Sequence, residues 1–268
     1  MSKENVDLVR KQLEALDRRD LDGVMSSVAE DTVLDGRFEI GFEGRAAIRR
    51  FLEDWFRAWE ELDFELEEVS DLGGGVVFAV VIQDGRPVGG DGRVRQREGW
   101  VYLWEGGAIA RLTTSEVDQA RPAAERLAEQ RGAAMSQENV EVVKRAIAAI
   151  NDHDFESYLA CCTADVQLES PITSIEGVSK GADGIRRYFA NILDAGPDFR
   201  VTIDRLQPVG ADRVLGFLRL NMSGRTSGIT LGGDIPSANV WDFTNGKIKR
   251  VRIFLDRSEA LEAVGLSE

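Results

Sequence analysis

Residues 1–6 read Met-Ser-Lys-Glu-Asn-Val, and residues 135–140 read Met-Ser-Gln-Glu-Asn-Val. Further along, Ile-Arg-Arg-Phe at 48–51 returns as Ile-Arg-Arg-Tyr at 185–188. The offset of about 134 residues is much longer than a solenoid repeat of roughly 20 to 50 residues, and it has the size of a whole domain. The sequence therefore predicts two tandem copies of one domain.

The repeat also sets the expected boundaries. The first copy is expected at residues 1–120, a helical tail and linker at 121–134, and the second copy at 135–268. Within the copies, Glu43-Gly44 is matched to Glu176-Gly177. Positions that both copies keep are expected to serve the fold, and positions that differ are candidates for separate chemistry.

Each copy begins with apolar residues that share one face of a predicted amphipathic helix. Ser2 and Ser136 are placed to cap these two helices. The apolar positions are Val6, Val9, Leu13 and Leu16 in the first copy, and Val140, Val143, Ile147 and Ile150 in the second.

The rest of each copy predicts an α+β fold. A second helix is expected near 21–29 and 155–163, and a strand from Thr32 and from Val166. A third helix follows, at about 46–59 and 181–193, and strands fill the remainder, joined by Gly-rich turns that include 84–86 and 223–224. This order is typical of helices packed on one face of a curved, mostly antiparallel sheet.

Composition excludes several classes of protein. The 268 residues are 43% hydrophobic, which is typical of a folded protein. Their net charge of −14 repels the phosphate backbone of nucleic acids. Nucleic acid is therefore not expected as a partner. The chain has no apolar run of membrane-spanning length and no apolar leader at its N-terminus. We expect a cytoplasmic protein with no membrane partner.

Histidine and cysteine are too scarce to support common metal or nucleophile chemistry. His153, the only histidine, lies at a predicted helix end, where a solvated turn residue is expected. Cys161 and Cys162 are adjacent and are interpreted as small helix residues, since neighbouring cysteines rarely form a relaxed disulfide. Neither a bound metal nor any other cofactor is expected, and a histidine-based triad is hard to build.

The element order, with Asn-Val at the start, Glu-Gly-x-x-x-Ile-Arg at 43–49 and Gly-x-Ile at 107–109, resembles the nuclear transport factor 2-like superfamily. Both halves resemble most closely its bacterial SnoaL-like branch. The resemblance implies a cystatin-like α+β architecture in which a cone-shaped sheet wraps around helices and leaves an apolar pocket. The superfamily contains ketosteroid isomerases, polyketide cyclases, dehydratases, epoxide hydrolases and many non-enzymes, so membership implies no single reaction.

The resemblance also implies candidate catalytic positions. Ketosteroid isomerases place their base, an aspartate, in a Thr-Val-Glu-Asp stretch on the strand after the second helix. The stretch at 32–35, Thr-Val-Leu-Asp, puts Asp35 at that position, and Glu169 is its counterpart in the second copy. In an apolar pocket such a carboxylate would have a raised pKa and could move protons near neutral pH.

The hydrogen-bonding partners of that base match less well. The resemblance puts Gln12 and Ala146 where the isomerases have a tyrosine, and Trp100 and Asn239 where they have a protonated aspartate. Asn239 is a neutral donor that could polarise a carbonyl, so it is assigned a catalytic role with Glu169. Gln12 is assigned to ligand binding.

Strand alternation adds further ligand-binding candidates. Glu98, Trp100 and Tyr102 share one face of a strand in the first copy, as do Ser237, Asn239 and Trp241 in the second. Ordinary core packing is the alternative explanation for these residues. The helical residues Trp55 and Tyr188 are added to the ligand-binding set.

Three functional classes remain open. The first is a cofactor-free acid–base enzyme, of isomerase, dehydratase or cyclase type, acting on a small hydrophobic substrate. The second is a non-catalytic module that binds a small ligand or provides an interaction surface, and the third is an enzyme resembling epoxide hydrolases, which needs an Asp–Arg–Asp set. The tandem copies are expected to pair within the chain as a pseudodimer, giving a monomer or a weak homodimer.

Overall fold

A computed structural model describes residues 2–36, 40–171, 177–221 and 235–266. The chain divides into two compact units, Met1–Gly132 and Ala133–Glu268. Each unit contains one six-stranded mixed sheet together with helices, which confirms the expected pair of α+β cones. No helix in the described part of the chain is long and apolar enough to cross a membrane.

The first unit carries three helices ahead of most of its sheet. Its strands lie in the order β2-β1-β6-β5-β4-β3, in which only the β1–β6 pair is parallel. The elements are α1 (Ser2–Asp17), α2 (Leu21–Met25), β1 (Val28–Gly36), β2 (Ile40–Glu43), α3 (Arg45–Arg57), β3 (Trp59–Gly73), β4 (Val76–Pro87), β5 (Val94–Glu105), β6 (Ala108–Ser115) and the start of α4 (Val117–Asn151).

The second unit repeats this arrangement, with strand order β8-β7-β12-β11-β10-β9 and a parallel β7–β12 pair. Its elements are the end of α4, then α5 (Phe155–Ala160), β7 (Cys162–Glu169), β8 (Ser179–Lys180), α6 (Gly181–Ala195), β9 (Arg200–Pro208), β10 (Arg213–Asn221), β11 (Ile235–Thr244), β12 (Lys247–Phe254) and α7 (Arg257–Glu262).

The main core of each unit lies between the helices and the inner face of the sheet. In the first unit, α1 buries Val9, Leu13 and Leu16, as its helical spacing predicts. In the second unit, Val143 and Ile147 of α4 occupy the equivalent place. The amphipathic pattern therefore decides which side of each first helix faces the sheet.

Helices cover both faces of each sheet, so the expectation of helices on one face only is wrong. In the first unit, Ala120 and Ala124 of α4 pack against Phe78 and Val80 on the outer face. In the second unit, Ala260 of α7 packs against the outer face in the same way. The reason is that β4 and β10 carry apolar residues on both faces, and an apolar outer face needs its own cover.

The tail and the first helix of the second copy form one continuous helix, α4, 35 residues long. Ser136 lies inside this helix and does not cap it; its hydroxyl donates a hydrogen bond to the backbone carbonyl of Gly210. Pro122 lies near the beginning of α4 and Gly132 is the one glycine within it, and the helix runs through both residues.

Several local expectations also need correction. The second helix stops at Met25 rather than 29, and residues 84–86 lie inside β4 instead of forming a turn. The third helix of the first unit ends at Arg57 rather than 59, and the strand β3 begins at Trp59. The turn expected at 223–224 lies outside the described residues.

The structural counterpart of Gly44 is Gly181, not Gly177. Gly44 and Gly181 both stand at the start of the third helix of their unit, with φ of 86° and 64°. A Cβ atom on either would lie 3.5 Å from a backbone carbonyl, that of Glu30 or Ala164. These carbonyls occupy the same place in each repeat, so the glycines are equivalent; Glu176 lies outside the described residues.

We predict that Gly99→Ala destabilises the first unit. A Cβ atom at Gly99 would lie 2.3 Å from the Ala120 Cβ, so α4 would have to move away from the sheet. Overpacking of this kind costs about 1–3 kcal/mol. Four of the five tryptophans lie in the first unit, so denaturation followed by tryptophan fluorescence measures the loss. Gly92→Ala is the control, because nothing lies within 4 Å of its added Cβ; equal stability of the two variants would contradict this packing.

Candidate functional site

The first unit encloses a cavity of about 330 Å³ between α1, α2, α3 and the inner face of its sheet. Most of its lining is apolar, and part of it is aromatic: Phe42 stacks on Phe51 with ring centroids 4.3 Å apart. The lining residues are Gln12, Leu16, Val24, Met25, Val28, Thr32, Leu34, Gly36, Phe42, Ile48, Phe51, Leu52, Trp55, Trp59, Gln83, Gln96, Glu98, Trp100, Ile109, Leu112 and Thr114.

Four polar side chains that line this cavity are nearly fully buried: Gln12, Thr32, Gln83 and Trp100. Gln12 on α1 is 5% exposed and Trp100 on β5 is 9% exposed. In the described structure, neither Gln12 Oε1 nor Trp100 Nε1 has a hydrogen-bond partner. A buried polar atom without a partner lowers the free energy of unfolding by about 1–3 kcal/mol. These two atoms therefore destabilise the first unit unless a bound molecule forms hydrogen bonds with them.

The hydroxyl of Thr32, by contrast, is satisfied within the protein. It donates to the backbone carbonyl of Ile109 across the β1–β6 pair, 2.5 Å away. Glu98 is the one charged side chain among the described residues that line the cavity, and it is half-buried. The cavity therefore combines an apolar wall, two unsatisfied neutral groups and one carboxylate.

The second unit encloses a cavity of about 480 Å³ in the equivalent place. Its lining is also largely apolar, and no charged side chain is among its described lining residues. These residues are Ala146, Ile147, Ile150, Tyr158, Leu168, Ser170, Pro171, Tyr188, Phe189, Asn191, Ile192, Ala195, Phe199, Val201, Leu218, Leu220, Ile235, Asn239, Trp241, Val251, Ile253 and Leu255.

Three polar residues that line the second cavity, Ser170, Tyr188 and Asn239, have hydrogen-bond partners within the unit. Burial raises the pKa of the Tyr188 phenol, and a hydrogen bond with Ser170 opposes that rise. The Ser237 hydroxyl lies 2.9 Å from Asn239 Oδ1, to which it donates. This contact occupies Oδ1, so the amide Nδ2 is the part of Asn239 that can donate to a bound molecule.

Asp35 does not line the first cavity, so the expectation that it projects into an apolar pocket is wrong. Its carboxylate lies 2.8 Å from Arg111 on β6, and its side chain is 40% exposed. Leu34 and Gly36, on either side of it, line the cavity instead. Successive side chains of a strand point to opposite faces, so Asp35 faces outward.

Glu169 is outward-facing for the same reason. It forms a two-point ion pair with Arg250, with distances of 2.9 and 2.8 Å, and its side chain is 30% exposed. Leu168 and Ser170 line the second cavity. The residues that follow Asp35 and Glu169, namely Gly36 and Ser170, are the ones that line the cavities. Neither has a carboxylate, so neither can act as the expected base.

Of the ligand-binding candidates, Gln12, Trp55, Glu98 and Trp100 line the first cavity, and Tyr188, Trp241 and Asn239 line the second. Tyr102 and Ser237 do not. Tyr102 is fully buried within the core, and burial raises the pKa of its phenol well beyond its usual range. Ser237 donates a hydrogen bond to Asn239 Oδ1 and so orients the Asn239 amide.

Sequence reasoning missed several polar lining residues. Gln83, Gln96 and Thr114 come from β4, β5 and β6 in the first unit, and Asn191 comes from α6 in the second. Alternation in β7 could have corrected the Glu169 assignment, because Val166, Leu168 and Ser170 form the buried face. Alternation in β5 likewise puts Gln96 on the face of Glu98 and Trp100, whereas Gln83 becomes its neighbour only when β4 and β5 pair.

The lining residues restrict the chemistry of both cavities. No arginine is among the described residues that line them, so the Asp–Arg–Asp set of the epoxide-hydrolase alternative is not assembled there. Across the described ranges, no group of three or more His, Cys, Asp or Glu side chains is placed to hold a metal ion.

We predict that Asp35→Asn and Glu169→Gln leave ligand binding unchanged in both cavities. Each variant removes a partly exposed ion pair and should lower the free energy of unfolding by only about 0.2–1 kcal/mol. Titration with an apolar fluorescent dye measures the first quantity and urea denaturation the second. A tenfold or greater loss of affinity in either variant would show that the carboxylate acts in the cavity after all.

Comparison with known proteins agrees with this architecture. Residues 9–112 and 143–251 match the SnoaL-like domain model. A cystatin-fold protein from Novosphingobium aromaticivorans is 26% identical, with 43% of this chain and 97% of that chain covered and a TM-score of 0.38. An NTF2-like protein from Burkholderia pseudomallei is 20% identical, with 45% and 97% covered and a TM-score of 0.40.

A third similar structure is a putative polyketide cyclase from Pseudomonas putida, 20% identical, with 41% of this chain and 89% of that chain covered and a TM-score of 0.36. No curated protein matches the chain. The family match covers most of both units, and the chain therefore belongs to the SnoaL-like domain family, which it contains as a tandem duplication.

Proposed function

We propose that the protein binds small, largely apolar molecules, one in each of its two cavities. The observation that carries the proposal is that both units enclose a cavity, of about 330 and 480 Å³, with a mainly apolar lining and few polar groups. Ligand sites typically occupy about 300–1,000 Å³ and have this mixture of apolar wall and convergent polar groups.

The magnitude of apolar burial supports binding of useful strength. A molecule that buries roughly 200 Å² of apolar surface gains about 5 kcal/mol, before the cost of lost freedom is subtracted. Each well-placed hydrogen bond adds about 0.5–1.5 kcal/mol. Before that cost is subtracted, these values correspond to dissociation constants in the millimolar to micromolar range, so the net affinity is weaker and depends on the hydrogen bonds that the ligand makes.

Proton transfer in the first cavity is a second candidate function, and Glu98 is the specific reason for it. Asp35 and Glu169 face outward, whereas Glu98 shares the inner face of β5 with Trp100 and lines the cavity. A carboxylate beside a bound ketone can remove a proton from the carbon next to the carbonyl and return one to it. The second cavity has no equivalent group, because its counterpart of Glu98 is Ser237.

We predict that filling one cavity halves the binding stoichiometry. Thr114 and Ile253 are equivalent lining residues, paired with Trp100 and Asn239 on the neighbouring strand, and both are half-buried. Thr114→Trp should abolish binding in the first cavity and Ile253→Trp in the second. Titration with the neutral dye N-phenyl-1-naphthylamine should give about two sites in the parent protein and one in each variant. If both variants still bind two dye molecules, the dye binds outside the two cavities, which contradicts the prediction.

For the second candidate, we predict that the protein speeds exchange of deuterium from D₂O into 2-tetralone, at the carbons next to its carbonyl. Glu98→Gln should remove this acceleration by a factor of about 10²–10⁴, because an amide cannot accept the proton. Exchange is followed by proton NMR, and Glu65→Gln, on an exposed part of β3, is the control. An unchanged rate in Glu98→Gln would leave binding as the only function supported.

A further inference from the structure

The first cavity contains two unsatisfied groups of opposite kind. Gln12 Oε1 is a hydrogen-bond acceptor and Trp100 Nε1 is a donor, and both atoms are buried without a partner in the described structure. Both residues line the cavity and are more than nine-tenths buried. A molecule that satisfies both must donate to one and accept from the other.

We infer that the first cavity selects a neutral aromatic molecule that carries a hydroxyl group. This inference rests on the proposed binding function and names the ligand class of one cavity. A hydroxyl is the smallest group that both donates and accepts, so it offers the kind of partner that each of the two atoms lacks. An ether or ketone only accepts, and it leaves the Gln12 oxygen without a donor.

The charge of the cavity also disfavours an anionic ligand. A phenolate or carboxylate would share the cavity with the Gln12 carbonyl oxygen and the Glu98 carboxylate, and no described lining residue carries a positive charge. A buried anion without a cation is strongly unfavourable. The ligand therefore enters with its hydroxyl proton in place.

The aromatic side chains that line the first cavity indicate that the ligand contains an aromatic ring. Phe42, Phe51 and Trp55 form a run of neighbouring rings, with centroid separations of 4.3 and 6.4 Å, and all three line the cavity. Flat rings offer offset-stacked and edge contacts to another aromatic ring. The aromatic side chains thus specify the ring of the ligand, and the two unsatisfied groups specify its hydroxyl.

The second cavity supplies an internal comparison. Ala146 takes the place of Gln12 and Asn239 the place of Trp100, so the second cavity has no acceptor at the Gln12 position, and the Asn239 amide is the donor at the Trp100 position. This cavity should accept a ketone or ether as readily as a hydroxyl compound. The two copies therefore differ in the functional group that they recognise.

The test uses 2-naphthol, 2-methoxynaphthalene and naphthalene with the full-length Ile253→Trp variant, in which only the first cavity is open. Binding is measured by displacement of N-phenyl-1-naphthylamine. We expect 2-naphthol to bind about 10-fold more tightly than 2-methoxynaphthalene, since one hydrogen bond in a buried site is worth about that factor. In the Thr114→Trp variant, with only the second cavity open, this ratio should be near one.

Two substitutions assign the preference to its residues. Gln12→Met should bring the ratio for the first cavity close to one, and Trp100→Phe should weaken both oxygen-bearing ligands relative to naphthalene. Trp55→Phe is the matched control: it changes the aromatic wall without removing an unsatisfied group, so the ratio should persist. Gln12→Met should also raise the melting temperature of the ligand-free protein, because it removes an unpaired buried oxygen.

The outcomes separate this inference from the proposed function. If the dye binds but the three naphthalenes show no preference, or a preference that survives Gln12→Met, bound water satisfies these groups and the inference is overturned. If neither the dye nor any naphthalene binds to the parent protein, the proposed function itself fails. A fall in melting temperature for Gln12→Met would show that Gln12 has a structural role and would also overturn the inference.

Discussion

The inward face of each curved sheet is the constraint on which the other features depend. In both units, one strand-face must pack against the first and third helices, so the side chains on that face also form the wall of the cavity. Because successive side chains of a strand point to opposite faces, the inward-facing residues fix which of their neighbours face outward. Leu34 and Leu168 face inward, so Asp35 and Glu169 must face outward and form ion pairs with Arg111 and Arg250.

Duplication preserved this packing while the polar lining changed. The two units have the same strand order, the same parallel pair and equivalent positive-φ glycines, Gly44 and Gly181. Their cavities differ at equivalent positions: Gln12, Glu98 and Trp100 in the first unit become Ala146, Ser237 and Asn239 in the second. The fold tolerates these changes because the apolar contacts around the cavities provide most of the stability.

Two different kinds of chemistry follow from these replacements. The first cavity keeps a carboxylate and two unsatisfied groups, which is costly for folding and favours a role in recognising a partner molecule. In the second, Ser237 donates to Asn239 Oδ1, and Tyr188 is hydrogen-bonded with Ser170. The two proposed binding sites therefore differ in the polar groups that line them.

The duplication, the α+β class and the buried face of the first helices could be predicted from the sequence, because repeats and helical spacing are visible in the order of residues. Gln12, Trp55, Glu98 and Trp100, which line the first cavity, were also predicted in this way. The folded chain was needed to show which face of β1 and β7 points inward, since a shift of one residue exchanges the two faces of a strand. It alone showed that Gln12 Oε1 and Trp100 Nε1 lack partners, because that depends on every residue packed around them.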